Sequence, residues 1–282
     1  IISICENGNN LLVVSHSGVS EYVRDTDSLH LKYSGKVDNP YRSALLSQDG
    51  STLFLGATKG LNILNKKFGI ESVLLPNEYI QSLAYNGHNY LILTPNSLYS
   101  LWKGDDNIFH VKSILSGKGD LDFSQMVYKN DFVYIGTKRN GVYSFNLKSK
   151  NFEPLTAIKS NIITTLFIKG DHLYVGSDGK GVECYDLENK SLITFLNNPQ
   201  NKSSISSNSV YSLFVDNHNI LWVGTYSLGI CYSSESDSFF KKYDSLEGNS
   251  IRSFAMIDQS RILVGTRNGL IYSENSTNHI YR

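Results

Sequence analysis

Short apolar runs separated by polar turns recur along the whole chain, and one stretch shows the arrangement most clearly. Val210–Val215 is an apolar and aromatic run, residues 216–219 (DNHN) are polar, and residues 220–223 are apolar again. Asn and Asp favour turns because they tolerate left-handed backbone angles and hydrogen-bond their own main chain. Gly229 allows a second turn into a third apolar run, residues 230–232. The pattern predicts a meander of three strands, which cannot bury both of its faces alone.

Copies of this meander fill the rest of the sequence. Clear copies occupy residues 123–145, 163–185 and 251–272, and weaker ones occupy residues 1–22, 41–64 and 80–101. The residue that closes the second run, usually glycine, recurs at positions 14, 56, 93, 136, 176, 224 and 265. A fourth apolar run completes each unit. A period of about 40–45 residues with four short strands is typical of a propeller blade. We therefore predict an all-β fold, a single seven-bladed β-propeller with four antiparallel strands per blade.

The seven predicted blades account for the chain from end to end. Their approximate limits are residues 1–37, 38–78, 79–120, 121–160, 161–207, 208–248 and 249–282. The longest polar connection, residues 197–208, separates blades five and six, and such connections are where binding or disorder concentrates. The sequence begins and ends inside strand patterns, and no charged-then-apolar leader is visible at Ile1. We expect it to be a segment of a larger chain or a mature chain.

Two further expectations concern burial. The first runs of the blades, such as Val210–Val215 and residues 162–168, are almost continuously apolar. Continuous apolar runs predict strands that are buried on both faces. The glycine that precedes Thr or Ser at the end of the second run is expected where one backbone approaches another closely. Gly176→Val is therefore expected to lower stability.

Composition and charge exclude several classes of protein. The chain has 26 Lys and Arg and 26 Asp and Glu, so no net charge favours nucleic acid or an anionic membrane. No apolar run approaches the roughly 20 residues that span a bilayer. Cys5, Cys184 and Cys231 lack CxxC spacing, which disfavours a disulfide framework or a zinc site and predicts buried free thiols. We expect no cofactor and no nucleic-acid partner.

The sixth blade resembles a known repeat. Residues 221–225 (LWVGT) are followed by Gly229, then by Phe240 and Tyr243, and are preceded by residues 207–212 (SNSVYS). This block is similar to the two-component regulator propeller repeat, in which a D-rich turn, L-W-[IV]-G-T and an aromatic fourth strand follow one another. Blades four, five and seven keep [IV]-G-[TS] without the tryptophan, and blades one to three depart further.

The resemblance implies a sensor rather than an enzyme. Propellers of this family form the extracytoplasmic region of hybrid two-component regulators of the Bacteroidetes type, with a membrane helix and a histidine kinase elsewhere in the parent chain. The implied location is periplasmic, with the parent anchored in the inner membrane. The implied ligand is an oligosaccharide released from glycans. The implied partners are a neighbouring propeller, an immunoglobulin-like domain and a second copy in a homodimer.

Ligand-binding candidates lie where propellers usually meet ligands, in the second-to-third-strand turns and the blade connections. Four candidates occupy one equivalent position in four blades, which symmetry is expected to place at one level around the axis: Arg42, Gln81, Tyr211 and Arg252. The turns add Lys138, Arg139, Asp178, Tyr226 and Arg267. Arg and Tyr suit an acidic or hydroxyl-rich ligand through forked hydrogen bonds and ring stacking. The alternative is that these residues are solvated turn residues or hydrogen-bond one blade to the next.

Two other functions stay open at this point. A propeller glycoside hydrolase or lyase requires an acidic pair in a cleft, whereas the sequence pairs Asp105/Asp106, Asp120/Asp122 and Glu235/Asp237 fall in predicted turns. Three histidines in equivalent turns of different blades are expected to be too dispersed for a metal site: His88, His172 and His218. No Ser-His-Asp signature, P-loop or dinucleotide fingerprint occurs. The third function is a protein-interaction scaffold.

Overall fold

The structure, a computed structural model, describes residues 1–234, 239–243, 246, 248–258, 261–274 and 277–281. These residues form twenty-eight β-strands and no α-helix. The strands make seven sheets of four, each with its strands in chain order and each inside one predicted blade range. The protein is an all-β, seven-bladed β-propeller, as the repeat predicted. In the part of the chain described, no helix has the length and apolar character that crossing a membrane requires.

The chain divides into two compact units, Ile1–Tyr128 and Lys129–Arg282, and the division falls within one strand. The first unit contains the complete blades one to three. Their strands are β1 (Ser3–Asn7), β2 (Asn10–Val14), β3 (Gly18–Val23), β4 (Ser28–Ser34), β5 (Tyr41–Leu46), β6 (Thr52–Ala57), β7 (Gly60–Asn65), β8 (Ile70–Leu74), β9 (Ser82–Tyr85), β10 (Tyr90–Leu93), β11 (Leu98–Lys103) and β12 (Phe109–Leu115).

Blades four to seven follow, and the division lies within β13. Their strands are β13 (Phe123–Lys129), β14 (Phe132–Thr137), β15 (Val142–Asn146), β16 (Phe152–Pro154), β17 (Ile163–Lys169), β18 (His172–Ser177), β19 (Val182–Asp186), β20 (Leu192–Phe195), β21 (Val210–Val215), β22 (Ile220–Thr225), β23 (Ile230–Ser234), β24 (Lys241–Tyr243), β25 (Ile251–Met256), β26 (Arg261–Thr266), β27 (Gly269–Glu274) and β28 (Thr277–Tyr281).

The first strand of four blades contains a β-bulge at one equivalent place. The pairing of first and second strands shifts register around a single residue in β5, β17, β21 and β25. The four bulge residues are Arg42, Thr164, Tyr211 and Arg252. A bulge leaves one residue outside the ladder and re-aims its side chain. Three of the sequence candidates for ligand binding are therefore held by the same irregularity of the backbone.

Burial is greatest in the second strands and not in the first. In β6, β18, β22 and β26 every residue after the first is buried. By contrast, β17 and β25 bury only their first and fourth residues, and β21 buries four of six. The expectation that first strands are buried on both faces is wrong. The first strand is an edge of its sheet, whereas the second has a hydrogen-bonded strand on each side.

The glycine near the end of the second strand is required by side chains, not by a neighbouring backbone. A Cβ at Gly176 would lie 2.4 Å from Thr165 Cγ2 and 3.0 Å from Val210 Cγ1. A Cβ at Gly224 would lie 2.1 Å from Ser212 Oγ and 2.7 Å from a side-chain carbon of the next blade. The backbone explanation drawn from the sequence is corrected accordingly. The space that a side chain would need is occupied by a residue in the first strand of the same blade and by the residue that begins the first strand of the next blade.

The Thr or Ser after this glycine closes the turn into the third strand. Thr225 donates its hydroxyl to Gly229 O at 2.9 Å and accepts the backbone N–H of Leu228 at 3.0 Å. Thr137 makes the same two bonds in blade four. Blade three has no glycine in this turn, as its sequence predicted, yet Thr94 still donates to Ser97 O. One hydroxyl therefore closes the turn in each of these blades.

Asp216 explains why blade six matches the repeat best. Its Oδ1 accepts the backbone N–H groups of His218 at 2.8 Å and Ile220 at 3.0 Å. Its Oδ2 accepts the indole N–H of Trp222 at 2.9 Å. Asn219 completes the turn in the left-handed conformation, with φ of 59°. The acidic turn and the tryptophan form one hydrogen-bonded unit.

The long connection between blades five and six is fixed by hydrogen bonds and burial. Asn197 donates its backbone N–H to the side chain of Asn208 at 2.7 Å and its amide to Ile205 O at 2.7 Å. Ile205 is completely buried. These contacts fix the ends of the connection, whereas residues 198–202 are exposed. The expectation that binding concentrates there stays a prediction.

Candidate functional site

Two side chains, one from blade six and one from blade seven, contact the ring of Tyr211. The guanidinium carbon of Arg252 lies 4.7 Å from the centroid of this ring. The ring of Tyr226 lies 5.4 Å away at an interplanar angle of 44°. A cation over an aromatic face and a tilted pair of rings are both attractive arrangements. Two tyrosines and one arginine therefore share one contact surface.

A carboxylate from blade five joins this surface through Ser209. Asp178 and Ser209 form an isolated β-bridge, and the Ser209 hydroxyl donates to Asp178 Oδ1 at 2.6 Å. Ser209 O accepts the backbone N–H of Tyr226 at 3.0 Å. Ser209 thus ties the turn of blade five to the turn of blade six. We refer to Asp178, Ser209, Tyr211, Tyr226 and Arg252 as the tyrosine–arginine cluster.

The charged residues of the tyrosine–arginine cluster act on the pKa of Tyr211. Burial raises the pKa of its hydroxyl, and the negative charge of Asp178 raises it further. The positive charge of Arg252 acts in the opposite direction and lowers the pKa. Tyr211 therefore stays a neutral hydrogen-bond donor throughout the physiological range. One cation, one anion and two phenols lie within mutual influence.

Equivalent backbone positions in adjacent blades place these side chains. Tyr211 and Arg252 are the bulge residues of β21 and β25. Asp178 and Tyr226 each follow the Ser or Thr that closes a second strand, in blades five and six. The bulges and the turns of neighbouring blades therefore lie side by side at this edge. The repeat supplies the positions, and the residue types supply the chemistry.

The tyrosine–arginine cluster is accessible. Tyr226 is 46% exposed. Asp178 is exposed, and Tyr211 and Arg252 are half-buried. Exposed aromatic rings can stack on the apolar face of a ligand, while a guanidinium offers forked donors to carboxylate or hydroxyl oxygens. The arrangement can hold a hydroxyl-rich ligand that has one flat apolar face.

The remaining candidates lie elsewhere in equivalent turns or strands. Arg42 is the bulge residue of β5, and its guanidinium carbon lies 5.9 Å from the ring centroid of Tyr79. Gln81 is half-buried, precedes β9 without a bulge, and donates its backbone N–H to Leu93 O at 2.8 Å. Three more are exposed in second-to-third-strand turns: Lys138, Arg139 and Arg267. Arg267 donates its backbone N–H to Ser250 O at 3.2 Å.

Sequence reasoning missed two residues that bear on these contacts. Ser209 bridges two blades, and Tyr79 is the aromatic partner of Arg42. Ser209 lies two positions before Tyr211 in a polar connection, so its place beside the candidates was a usable signal. Tyr79 gave no such signal, because its pairing with Arg42 joins the start of blade three to the first strand of blade two.

One residue of each of two acidic pairs has a structural role. Asp106 accepts the backbone N–H of Ile108 at 3.0 Å and contacts the His110 ring at 3.2 Å. These bonds, the backbone bond foremost, lower the pKa of Asp106. Asp122 is a left-handed turn residue with φ of 47°. Glu235 and Asp237 lie outside the described residues.

The described residues contain no group of three or more His, Cys, Asp or Glu side chains placed to hold a metal ion. His88 and His218 lie in first-to-second-strand turns, whereas His172 is the first residue of β18 rather than a turn residue. Cys184 and Cys231 are buried free thiols, and Cys5 is a half-buried one.

Comparison with known proteins supports the repeat and the fold. The family model described as two component regulator propeller matches residues 204–227, which include β21 and β22. No curated protein matches the chain.

Two solved structures are similar in fold at low identity. The computationally designed Ika8 protein is similar with a TM-score of 0.68 and 13% identity, over 100% of this chain and 86% of that one. A chain of a mitotic checkpoint complex is similar with a TM-score of 0.72 and 13% identity, over 97% of this chain and 86% of that one. At this identity the likeness concerns the fold alone. The chain is thus a seven-bladed β-propeller in which residues 204–227 match the two component regulator propeller family model.

Proposed function

We propose that this chain is the sensor propeller of a hybrid two-component signalling protein, and that the tyrosine–arginine cluster is where it binds an oligosaccharide. The match to the regulator propeller repeat at residues 204–227 supports the signalling class. The matched residues include Ser209, Tyr211 and Tyr226. The repeat therefore coincides with the most chemically specific surface described.

The observation that carries the proposal is the convergence of three blades around Tyr211 and Ser209. Arg252 covers one side of this ring at 4.7 Å, and Tyr226 extends the aromatic surface. Asp178 adds a hydrogen-bond acceptor at the edge. A sugar ring has an apolar C–H face for Tyr226 and peripheral hydroxyls for a guanidinium and a carboxylate. The guanidinium of Arg252 further favours a sugar that carries a carboxylate.

The proposal extends to the parent chain. We place this propeller in the periplasm, in a protein anchored in the inner membrane with a histidine kinase as output. Binding would be transmitted by packing against a neighbouring propeller or immunoglobulin-like domain and against the second copy in a homodimer. The propeller itself is proposed to carry no catalytic function, and a reducing-sugar assay that shows product would favour the glycosidase or lyase alternative.

Calorimetric titration tests the ligand class. The chain is titrated with a panel of neutral and uronate-containing oligosaccharides, alongside its Arg252→Ala and Arg42→Ala variants. We expect binding of at least one oligosaccharide, weakened about tenfold by Arg252→Ala, since cation–π and forked contacts contribute about 1–2 kcal/mol. Arg42→Ala is the matched control because it removes the same residue type from the same bulge position in another blade.

Silence across the panel would contradict the proposal for this propeller. If the complete extracytoplasmic region then binds, the propeller is a scaffold for a site built elsewhere. If Arg252→Ala and Arg42→Ala weaken binding equally, the tyrosine–arginine cluster is not the site. Each result assigns a different role to the chain.

A further inference from the structure

A groove lies between blades four and five, at the blade ends opposite the tyrosine–arginine cluster. Its volume is about 480 Å³, within the range of roughly 300–1,000 Å³ that small-molecule sites occupy. Three aromatic residues form its apolar part: Phe132, Tyr134 and Tyr185. Its wall combines strand residues with residues of first-to-second-strand and third-to-fourth-strand turns, and it shares no lining residue with the cluster. We call it the tyrosine groove.

Two buried tyrosines leave hydrogen-bonding capacity in this groove unused. Tyr134 is 8% exposed and Tyr185 is 5% exposed, and both line the groove. Neither hydroxyl has a hydrogen-bond partner among the residues that the structure describes. Neither hydroxyl oxygen is an enclosed atom without a partner, so both can reach a ligand that enters the groove. Burial also raises the pKa of Tyr134, with Tyr185 nearby, so this phenol stays protonated as a donor.

An exposed aromatic face lies beside these hydroxyls. Phe132 is 37% exposed, and its ring lies 6.2 Å from that of Tyr134 at an interplanar angle of 23°. Such a ring can stack against C–H groups of a ligand while the phenols bond its edge. Phe132 and Tyr134 are two residues apart in β14 and therefore lie on the same face of the strand.

The charged groups of the tyrosine groove balance each other. Lys129 and Asp171 form an ion pair with 2.6 Å between Nζ and Oδ1. Lys190, whose Nζ donates to Leu187 O, and Glu188 are the other charged lining residues. Two cations and two anions favour a ligand without net charge. The polar atoms of these four side chains can hydrogen-bond the edge of a neutral ligand, and they do not form a site for a single ion.

A second groove, between blades one and two, shows that the tyrosine pair is specific. Its volume is about 240 Å³, and Leu12 occupies the strand position that Tyr134 holds in blade four. Its carboxylate, Glu21, is already satisfied by Lys32 at 2.9 Å and by Asn10 at 3.2 Å. A groove between blades is therefore a general product of the fold. Of these two grooves among the described residues, the tyrosine groove has the larger volume and two tyrosine hydroxyls available to a ligand.

We propose that the tyrosine groove binds a neutral six-membered ring that carries several hydroxyl groups, either a pyranoside or a cyclitol. One C–H face of the ring stacks on Phe132. Its hydroxyls exchange hydrogen bonds with Tyr134 and Tyr185 and with the ion-paired side chains at the edge. This site is independent of the tyrosine–arginine cluster and does not require the sensor proposal to hold.

Saturation-transfer NMR on the chain tests the site. The probes are methyl β-glucopyranoside, methyl β-galactopyranoside and myo-inositol, with cyclohexanol as the probe that keeps a ring but lacks several hydroxyls. We expect transfer to at least one polyol and none to cyclohexanol. Transfer to pyranosides alone, or to myo-inositol alone, identifies the source of the ligand. In Tyr134→Phe and Tyr185→Phe variants the Kd should rise about threefold to tenfold for each hydrogen bond lost.

Tyr143→Phe is the matched control. It removes a tyrosine hydroxyl from the adjacent strand β15, where the ring stacks on Phe152 at 4.9 Å and does not line the groove. Each substitution keeps the aromatic ring, and the thermal midpoint of each variant confirms folding before binding is compared. The loss caused by Tyr134→Phe and Tyr185→Phe should be the same in an Arg252→Ala background, which separates this site from the cluster.

Three results would overturn the proposal. They are no transfer to any of the three polyols, equal transfer to cyclohexanol, and equal affinity of the Tyr134→Phe, Tyr185→Phe and Tyr143→Phe variants. Loss of binding in Arg252→Ala, with no change in the groove variants, would move the polyol to the cluster.

Discussion

The bulge position of the first strand has different surroundings in the two compact units. In the first unit Arg42 lies 5.9 Å from the ring of Tyr79, near the limit at which a cation–π contact is effective. In the second unit Arg252 lies 4.7 Å from the ring of Tyr211, with Tyr226 and Asp178 beside that ring. The same β-bulge presents both arginines, but only Arg252 belongs to a cluster of side chains.

This difference separates what a repeat specifies from what it leaves open. The repeat fixes where a side chain is presented, because the strand, its bulge and its turn recur. The residues presented by the next blade decide whether a lone contact or a cluster results. A functional surface of a propeller is therefore a property of neighbouring blades rather than of one blade.

The largest effect is expected from a change to the framework that both regions share. In Gly176→Val the new side chain collides with Thr165 and Val210, and we expect a loss of about 2–3 kcal/mol in the free energy of unfolding. Urea denaturation measures it. Gly119→Val is the control, since a Cβ there meets nothing within 4 Å. Equal midpoints for the two variants would refute the packing explanation of this glycine.

A smaller loss is expected from the turn that distinguishes blade six. Asp216→Ala removes the acceptor of two backbone N–H groups and of Trp222, and leaves the buried indole N–H unpaired. We expect a loss of about 2 kcal/mol in the free energy of unfolding. Asn217→Ala, an exposed residue of the same turn, is the control. An Asp216→Ala variant as stable as that control would show that this unit contributes no stability.

The next largest effect is expected from removing Tyr226, the aromatic ring that has no counterpart beside Arg42. Tyr226→Ala should weaken oligosaccharide binding about fivefold to tenfold in calorimetry, because the exposed ring supplies the stacking face. Its thermal midpoint should change little, since the side chain is 46% exposed. Tyr79→Ala, which removes the partner of Arg42, should leave the affinity unchanged. Weaker binding in Tyr79→Ala, with unchanged binding in Tyr226→Ala, would place the ligand in the first unit.

The smallest expected effect is a loss of stability at low pH. Hydrogen bonds from Ser47 and from Ser51 lower the pKa of the exposed Asp49, in the first turn of blade two, from 3.8 to about 2. Because the folded pKa is the lower one, the stabilisation is present above pH 4 and is lost as the pH falls toward 2. Thermal midpoints measured between pH 5 and pH 2 should fall slightly less in Asp49→Asn than in the unsubstituted chain. Identical pH profiles would contradict this.

The sequence predicts the fold well, because turn residues and glycines mark the repeat directly. The Gly-Thr step, the Asp216 turn and the seven units all follow from local chemistry that the sequence displays. The sequence also named Asp178, Tyr211, Tyr226 and Arg252 as candidates, although it offered no reason to join these four rather than Lys138 or Arg267. That choice depends on the bulges, whose register is set by pairing with the second strand.

The tyrosine groove is less visible in the sequence for a different reason. Tyr134 and Tyr185 occupy strands of adjacent blades and resemble ordinary core aromatics. Only the packed structure shows that their hydroxyls line one groove and have no partner among the residues it describes. The burial of the first strands was likewise overestimated, since an apolar run does not reveal that its strand is the edge of a sheet.

The most direct test follows tyrosine signals during ligand titration. The chain, which has 18 tyrosines, is labelled selectively at tyrosine, and each signal of interest is assigned by a Tyr→Phe substitution. On addition of the oligosaccharide selected by calorimetry, the signals of Tyr211 and Tyr226 should move while that of Tyr143 stays fixed. A titration in which the oligosaccharide binds but the signals of Tyr211 and Tyr226 do not move would contradict the claim that their cluster is the ligand site.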